Sequence, residues 1–283
     1  MAIDSFIPSF CDFFNMNAVE TLQNIWNTTE PTNEPWEHIF NELNYKGHTD
    51  IHITTKQIKQ AKKSWTSSKS CQFEPRLLCY QTSSESRPDI FIKYGIYILP
   101  ISNSVYCITK TPIYHPLTYH STEEVIIQKN TSSLVLSAGS SEMSLIDNLR
   151  YSGVFERPEL MGEPITHGSL LHGRHHCHFT MKLGQISIRI NGVQYETDGC
   201  YESEHKILIV EGKSSHKRIK SFNIRQLYFP YRVLTEHTQS KKEIIPIFIY
   251  NEHNMIHIWK FAFTDLQCMD SIVTTGYYIY KYQ

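Results

Sequence analysis

Four segments rich in β-branched and aromatic residues follow one another between residues 177 and 211. Segments of this kind, separated by turn residues, are typical of β-strands. The four are Cys177 to Leu183, Ile186 to Ile190, Val193 to Thr197 and Lys206 to Glu211. Asn191-Gly192 lies between the second and third segments, and because both residues tolerate positive φ it predicts a type I′ hairpin. This part of the chain is therefore predicted to form a sheet.

Further elements are predicted on both sides of this sheet. Ser140 or Ser141 can cap a helix that ends near Gly153. The buried side of that helix would carry Leu145, Ile146 and Leu149. After the sheet we predict a helix from Asn223 to Glu236, which Pro230 should bend or interrupt, and strands at Ile244 to Tyr250 and Ile256 to Phe263.

The first third of the chain has helical signals followed by strand signals. Pro35 opens a helix with Trp36, Ile39, Phe40 and Leu43 on one face and Gly47 beyond its end, and Thr54 can cap a second helix over residues 55 to 65. Strands are predicted at Ile90 to Ile92, Ile96 to Leu99 and Val105 to Ile108. A stretch rich in Ser and Thr, residues 131 to 141, then reads as a connection. We therefore predict an amino-terminal α+β lobe over residues 1–131 and a second lobe over residues 132–283.

Composition limits the class of protein. A chain of 283 residues that is 40% hydrophobic can bury a sizeable core, and a net charge of -1 does not suit a uniformly basic coat protein. The seven cysteines are scattered without a C-x-x-C pair, which suits a reducing compartment. The amino terminus has no basic region like that of a secretory signal, and no apolar run approaches the roughly 20 residues that span a bilayer. We expect a cytoplasmic protein with no membrane association.

Three polar residues lie at the ends of the predicted strands. Asp198 precedes the strand Lys206 to Glu211 by a short interval, and Glu211-Gly212-Lys213 ends that strand. Two carboxylates at adjacent strand ends can hold Mg²⁺ together with a phosphate and waters. Lys213, two residues after Glu211, projects to the same face and can orient an attacking water and offset developing charge. The pattern predicts metal-assisted hydrolysis of a phosphodiester.

Basic residues surround this motif in the sequence. Between Lys206 and Arg232 the chain contains a single acid, Glu211, and seven basic residues. The seven are Lys206, Lys213, Lys217, Arg218, Lys220, Arg225 and Arg232. An acid within a basic run suits a metal-dependent phosphodiesterase that works beside a polyanion, so we expect five of the seven, Lys217, Arg218, Lys220, Arg225 and Arg232, to contact DNA.

The order of these features resembles the PD-(D/E)XK nuclease superfamily: an acid at a hairpin, an acid-x-Lys on the next strand, then a helix and a strand. The resemblance covers roughly residues 140 to 263, with Thr197 where the pattern has proline and Gly212 at its variable position. Residues 222 to 232 are also similar to the helix after the active-site strand in a set of type II restriction endonucleases. The resemblance implies an α/β fold (α+β overall) with a mixed central sheet flanked by helices, preceded by a smaller α+β lobe.

The resemblance also implies an activity. It is that of a Mg²⁺-dependent type II restriction endonuclease that hydrolyses double-stranded DNA at a short specific sequence. Asp198 and Glu211 would bind the metal and Lys213 would position the attacking water. A homodimer would match the two-fold axis of a symmetric site, and a cognate DNA methyltransferase would be the genetic partner.

Two further catalytic candidates come from the same resemblance. Glu142 lies in the first turn of the predicted helix before the sheet, where many members of the superfamily carry a metal-binding Glu. A glutamate there is equally well explained by the helix dipole, so both interpretations stay open. Gln226 would approach the active site, as would Arg225.

A lysine stripe on the second predicted helix has two interpretations. Lys56, Lys59 and Lys63 recur at i, i+3 and i+7 and so share a helix face. The stripe is either a solvated helix face or a contact with the DNA backbone.

Other chemistries are disfavoured. The cluster from His172 to His178 has zinc-ligand residue types but lacks a second Cys/His pair, so it reads as a polar loop leading into a strand or as a phosphate contact. The sequence has no Gly-x-Ser-x-Gly motif and no phosphate-cradling glycine loop, which disfavours serine-hydrolase and NTPase chemistry. Two alternatives to a restriction enzyme remain: a DNA-binding regulator with a decayed nuclease lobe, and a repair or nicking nuclease that reads DNA structure.

Overall fold

The computed structural model describes residues 30–48, 51–66, 73–128, 141–214, 218–252 and 255–283, with only the backbone described for 30–32. These residues form six α-helices and fourteen β-strands. The helices are α1 (Glu30–Glu42), α2 (Thr55–Lys63), α3 (Pro75–Leu78), α4 (Asp89–Tyr94), α5 (Glu142–Tyr151) and α6 (Arg225–His237). The strands are β1 (Ile51–Thr54), β2 (Tyr97–Ser102), β3 (Val105–Thr109), β4 (Tyr114–Pro116), β5 (Glu124–Ile127), β6 (His167–Gly168), β7 (His175–Leu183), β8 (Ile186–Tyr195), β9 (Gly199–Glu202), β10 (Lys206–Ser214), β11 (Ser221–Asn223), β12 (Glu243–Glu252), β13 (Met255–Phe263) and β14 (Ile272–Tyr282).

Two large sheets organise the fold. The larger has the strand order β5-β14-β13-β12-β10-β9-β6, and the smaller has the order β1-β3-β2-β8-β7. In the larger sheet β9 and β10 are antiparallel, whereas β10 and β12 are parallel and are connected through α6. A sheet containing both pairings is mixed, α5 and α6 pack on it, and the fold is α+β overall, as predicted.

Three apolar cores hold these layers together. The main core lies between the two sheets, where side chains such as Ile209, Leu227 and Phe248 are fully buried. On the opposite face of the large sheet, α5 packs Ile146 and Leu149 against the strands. A third core joins the amino-terminal helices to β1, β2 and β3. The central strands of the large sheet are thus covered on both faces, and β10 reaches solvent at its carboxyl end.

The boundary predicted at residues 131 and 132 does not separate the sheets. β5 lies before that boundary, yet it pairs with β14 at the carboxyl end of the chain. The small sheet likewise combines β1, β2 and β3 with β7 and β8. Pairing between distant segments therefore joins the two predicted lobes, and the prediction of a lobe division at this point was wrong.

The hairpin predicted at Asn191-Gly192 is a β-bulge. β8 continues through both residues, and its register against β7 shifts between Cys177 and His178, so that Gly192 is the extra residue with a φ of +69°. The chain reverses instead at Gly184-Gln185, where Gly184 has a φ of +57°. Bulges and tight turns both favour positive φ, which is why the dipeptide alone did not distinguish them.

The predicted helix caps are confirmed, whereas Pro35 does not open its helix and Pro230 does not interrupt its own. Thr54 caps α2 in a capping box with Gln57, and Ser141 caps α5 by accepting a hydrogen bond from the Ser144 amide. α1 begins at Glu30, before Pro35, and α6 runs without interruption through Pro230. Ser140 lies outside the described residues.

One predicted strand is a helix. Residues 89–94, which include the predicted strand Ile90 to Ile92, form α4. Asp89 lies in its first turn and Gly95 ends it in the left-handed conformation, with a φ of +61°. These two end signals outweigh the β-branched residues between them. Within the described ranges, no helix is both long enough and apolar enough to cross a bilayer.

Candidate active site

Strand β10 delivers the central motif. Its residues alternate between the two cores: Ile209 faces the core between the sheets, and Val210 faces α5. The alternation continues past the apolar part of the strand, so that Glu211 and Lys213 share one face and Gly212 takes the other. Glu211 is 5% exposed, at the point where β10 leaves the core.

The Lys213 ammonium lies among three carboxylates. Its Nζ is 2.8 Å from Glu211 Oε1, 3.4 Å from Glu142 Oε2 and 4.0 Å from Asp198 Oδ2. It also donates a hydrogen bond to the Gly212 carbonyl at 2.9 Å. If all four groups are ionised, three negative charges face one positive charge, and the cluster has two negative charges in excess. The site therefore attracts further positive charge.

Asp198 is held in place by the backbone of β10. It immediately precedes β9, and its Oδ2 accepts a hydrogen bond from the Gly212 amide at 2.8 Å. A Cβ atom at Gly212 would lie 3.1 Å from Ile146 Cδ1 and 3.9 Å from Asp198 Oδ2. Glycine at this position thus lets α5 approach the strand closely where Asp198 is bound.

Glu142 reaches the same cluster from α5. Its Oε1 accepts a hydrogen bond from the Ser214 amide at 3.3 Å, and its Oε2 faces Lys213. Its side chain is 39% exposed, more than those of the other three charged groups. The first-turn position suits the helix dipole, but both oxygens also contact the end of β10.

Gln226 enters from the first turn of α6. Its Nε2 donates a hydrogen bond to Glu211 Oε1, the same oxygen that faces Lys213. Its Oε1 is buried and has no hydrogen-bond partner among the described residues. A buried acceptor without a donor is costly, so this oxygen is available to a donor from outside the chain.

Burial and charge act in opposite directions on the acid and the lysine. The pKa of Glu211 is raised to about 7, chiefly by burial; the Lys213 ammonium opposes this rise, and the neighbouring Asp198 carboxylate adds to it. Burial would lower the pKa of Lys213, but the carboxylates of Glu211, Asp198 and Glu142 outweigh burial and raise it. Lys213 therefore stays charged, and Glu211 is the group whose ionisation depends on added positive charge.

The donor set fits a hard cation in kind. Asp198, Glu211 and Glu142 supply only carboxylate oxygens, which Mg²⁺ prefers over nitrogen or sulfur. They surround the Lys213 ammonium, and within the described ranges no group of three or more His, Cys, Asp or Glu side chains is arranged so that it could hold a metal ion. Asp198 and Glu211 remain the residues that the sequence predicts as ligands of such an ion.

The expected DNA-contacting residues have different environments. Lys56, Lys59 and Lys63 are exposed on α2, and Arg218 and Lys220 are exposed before β11. The Arg218 guanidinium lies 3.7 Å from the centre of the Tyr119 ring. Lys217 lies outside the described residues. The exposed residues are accessible to a polyanion.

Arg232 is a correction to that set. It is 6% exposed, forms an ion pair of 2.7 Å with Glu236 and lies 5.6 Å from the centre of the Phe179 ring. Its position on the inner side of α6 places it in the core between the sheets, so it does not reach a phosphate. The prediction that Arg232 contacts DNA was wrong.

The histidine cluster does not converge on a point. His178 pairs with Asn191, and a ring nitrogen of His175 lies 3.1 Å from the His172 carbonyl oxygen. The side chains alternate along β7, with His176 exposed and Cys177 buried. The described part of the chain contains no metal-binding group here.

One residue near the cluster was missed by the sequence reasoning. Tyr80 follows α3, and its phenol lies within electrostatic range of Lys213, Glu211 and Asp198. It is more than 100 residues from those groups in the chain. Its position depends on long-range pairing, so no local pattern marks it.

Comparison with protein families places the chain in a family whose description states no activity. The chain belongs to the family described as Domain of unknown function (DUF6997), whose model matches residues 109–281. A second model, Domain of unknown function (DUF6996), matches residues 33–108. No curated protein and no solved structure gives a match to the chain. The four charged residues of the cluster lie within the first match, and Tyr80 lies within the second.

Proposed function

We propose that the protein is a Mg²⁺-dependent endonuclease of the PD-(D/E)XK type that hydrolyses double-stranded DNA, and that it acts as a type II restriction enzyme. The observation that carries this proposal is the gathering of three carboxylates, those of Asp198, Glu211 and Glu142, around the Lys213 ammonium, with Gln226 hydrogen-bonded to the buried Glu211. These residues come from α5, the start of β9, β10 and α6, and Glu142 on α5 is far from the others in sequence. An acid-x-Lys that arose by chance at a strand end would not need such partners.

The topology around the cluster supports the same class. The helix α5 precedes the antiparallel strands β6, β9 and β10, and α6 then leads to β12, parallel to β10. This is the order expected for the PD-(D/E)XK nucleases: a helix, strands with the acids at their ends, a helix and a strand. The sheet is mixed and flanked by helices, as the resemblance implies.

The residues have separate roles in the proposed reaction. Mg²⁺ held by Asp198 and Glu211 would supply Lewis-acid stabilisation of charge on the phosphate and would activate a water molecule. Asp198 and Glu211 provide the oxygen donors, and Gln226 fixes the orientation of the Glu211 carboxylate. Lys213, which stays protonated, orients the attacking water and stabilises negative charge that develops on the phosphate oxygens. Glu142 fixes the end of β10 through the Ser214 amide.

The biological setting follows from the proposed activity. A homodimer would present two such sites to the two strands of a symmetric sequence. In the cytoplasm a cognate DNA methyltransferase would protect the host sites. Accordingly, a methyltransferase reading frame beside this one would support the proposal.

The lysine stripe provides a test of where the DNA lies. Replacing the exposed Lys56, Lys59 and Lys63 with Ala should weaken duplex binding and reduce the salt slope by nearly one unit per lost phosphate contact. Preference for the cognate sequence should persist, because phosphate contacts do not read bases. Affinity for cognate and random duplexes would be measured across a salt series in Ca²⁺. An unchanged slope would make the stripe a solvated face.

Digestion of mixed-sequence DNA tests the function itself. Mg²⁺ and Mn²⁺ should support cutting at discrete, mappable ends, whereas Ca²⁺ should support binding without turnover. Full activity in excess EDTA would contradict a metal requirement. Nicks or smears without a common sequence would favour a repair nuclease, and sequence-specific binding without cutting would favour a decayed nuclease acting as a regulator.

A further inference from the structure

Tyr80 lies on a segment that is fixed to the start of α6. The Gln81 carbonyl accepts a hydrogen bond from Asn223 Nδ2 at 3.1 Å, and the Thr82 carbonyl accepts one from the Asn223 amide at 2.9 Å. The Ser84 amide donates to Ser221 Oγ at 2.8 Å. Asn223 is buried, and its Oδ1 accepts a hydrogen bond from the Arg225 amide at 3.2 Å. The position of Tyr80 relative to α6 is therefore defined by a buried network.

The side chain of Tyr80 is left open at this fixed position. It is 49% exposed, although most large aromatic side chains of the described residues are buried. The hydrogen bonds of Gln81 and Thr82 to Asn223 place it beside the start of α6, where Gln226 binds Glu211, and the charges of Lys213, Glu211, Arg225 and Asp198 act on its phenol. Partial burial raises the pKa of Tyr80, so the phenol is a neutral donor at neutral pH.

Arg225, in the first turn of α6, is the second residue of interest near Tyr80. Its charge acts on Tyr80, on Tyr106 and Tyr114 of the amino-terminal strands, and on Cys177 of β7. It thus lies where the two sheets and α6 meet, one residue before Gln226. Its Nε is buried and has no hydrogen-bond partner among the described residues. An arginine in this state suits an acceptor that enters from outside, such as a phosphate oxygen.

We infer that Tyr80 and Arg225 together contact a phosphodiester group of the nucleic acid beside the acidic cluster, so that the region matched by the amino-terminal family model completes the active site. The inference rests on the proposed function, because it takes the substrate to be a nucleic acid. It adds Tyr80, which lies in the amino-terminal family match, to a site whose acids lie in the other match. It also gives a physical reason for the two matched regions to occur in one chain, because neither region alone would hold the complete site.

The test compares Tyr80→Phe with Arg225→Gln in duplex binding. Affinity for a short mixed-sequence duplex would be measured in Ca²⁺ across a salt series, beside melting curves. Tyr80→Phe should weaken binding about fivefold without changing the salt slope, because a neutral hydrogen bond is lost and no counterion is released. Arg225→Gln should weaken binding and lower the slope by nearly one unit.

Matched controls remove the same groups elsewhere. Tyr151→Phe alters an exposed tyrosine at the far end of α5, and Arg189→Gln alters an exposed arginine on β8. Both controls should bind with wild-type affinity. Single-turnover cleavage in Mg²⁺ should fall for Tyr80→Phe and Arg225→Gln and stay constant for the controls.

The outcomes separate this inference from the proposed function. If the wild type cuts and Tyr80→Phe binds and cuts normally, the Tyr80 contact is wrong while the nuclease stands. If Tyr80→Ala loses binding but Tyr80→Phe does not, the ring stacks on a base and the phosphate contact is overturned. If the wild type binds duplex without cutting, the nuclease fails, and the binding shifts still decide the contact. A wild type that neither binds nor cuts overturns both.

Discussion

β10 and β12 are parallel neighbours in the same sheet, but their side chains at matching levels differ in kind. Glu211 pairs in register with Phe248, Gly212 with Ile249, and Lys213 with Tyr250. The three residues on β12 are fully buried apolar or aromatic groups. The same level of β10 carries an acid, a glycine and a lysine. At positions where β12 has apolar or aromatic side chains that stabilise the core, β10 thus has charged side chains, whose burial is unfavourable.

The contrast indicates what β10 is selected for. A buried ion pair contributes little net stability compared with well-packed apolar residues of similar volume. Lys213 and Gln226 reduce the cost of burying Glu211 but do not make it a better core residue than Phe248. Function at the end of β10 is therefore the simplest reason for its polar residues, whereas β12 needs no such reason.

The largest predicted effect is the loss of a β12 side chain. Phe248 is fully buried and stacks on Phe222 with ring centres 4.7 Å apart. Phe248→Ala should lower the free energy of unfolding by about 3 to 5 kcal/mol, because it leaves a cavity between the sheets. Denaturant melts would measure this. A melt unchanged from the wild type would mean that β12 is not a packing strand, and the comparison would break.

Substitutions at the polar end of β10 should affect activity without a comparable loss of stability. Asp198→Asn and Lys213→Met should each slow cleavage by at least about a hundredfold, since each removes a metal donor or a positive charge near the phosphate. Both variants should melt cooperatively, because Asn can still accept the Gly212 amide hydrogen bond and Glu211, whose pKa is already raised, can be protonated when Lys213 is replaced. Single-turnover cleavage would be compared with that of Tyr151→Phe. Normal cleavage by a folded Lys213→Met protein would remove lysine from the mechanism.

The smallest predicted effect concerns the glycine between the acid and the lysine. Gly212→Ala would place its Cβ 3.1 Å from Ile146 Cδ1, so we expect a loss of about 1 kcal/mol in stability and a several-fold fall in cleavage. Ile146→Val removes the crowding atom, and the double variant should recover part of both losses. Ile146→Val alone is the control. Strictly additive costs would show that the spacing of α5 and β10 is not what glycine maintains.

Local signals in the sequence were enough for the strand that carries the site. The apolar run before Glu211 marked β10, and Thr54 marked the start of α2, because strand burial and helix capping depend on residues close in sequence. The proximity of Glu142 and Asp198 to Lys213 depends on sheet pairing and on α5, and the resemblance to a known superfamily supplied that expectation.

The failures share a long-range cause. Arg232 looks like a surface cation in sequence, and only the packing of α6 between the sheets buries it. Tyr80 has no local mark, because its neighbours are set by contacts with residues about 140 positions away. The boundary at residue 131 failed because β5 pairs with β14. The bulge at Gly192 failed for a different, local reason: positive φ is favoured both in β-bulges and in tight turns, so the sequence did not distinguish them.

The central claim is that Glu211 is retained for chemistry and not for packing, and Glu211→Gln tests it most directly. Burial is the main reason that the pKa of this acid is raised to about 7. Ionisation of Glu211 therefore lowers the free energy of unfolding progressively as the pH rises from the ordinary pKa of a glutamate to about 7. Above pH 7, Glu211→Gln should therefore melt at or above the wild-type temperature, and its cleavage in Mg²⁺ should fall at least about a hundredfold. A folded Glu211→Gln protein that cuts DNA at nearly the wild-type rate would contradict the account.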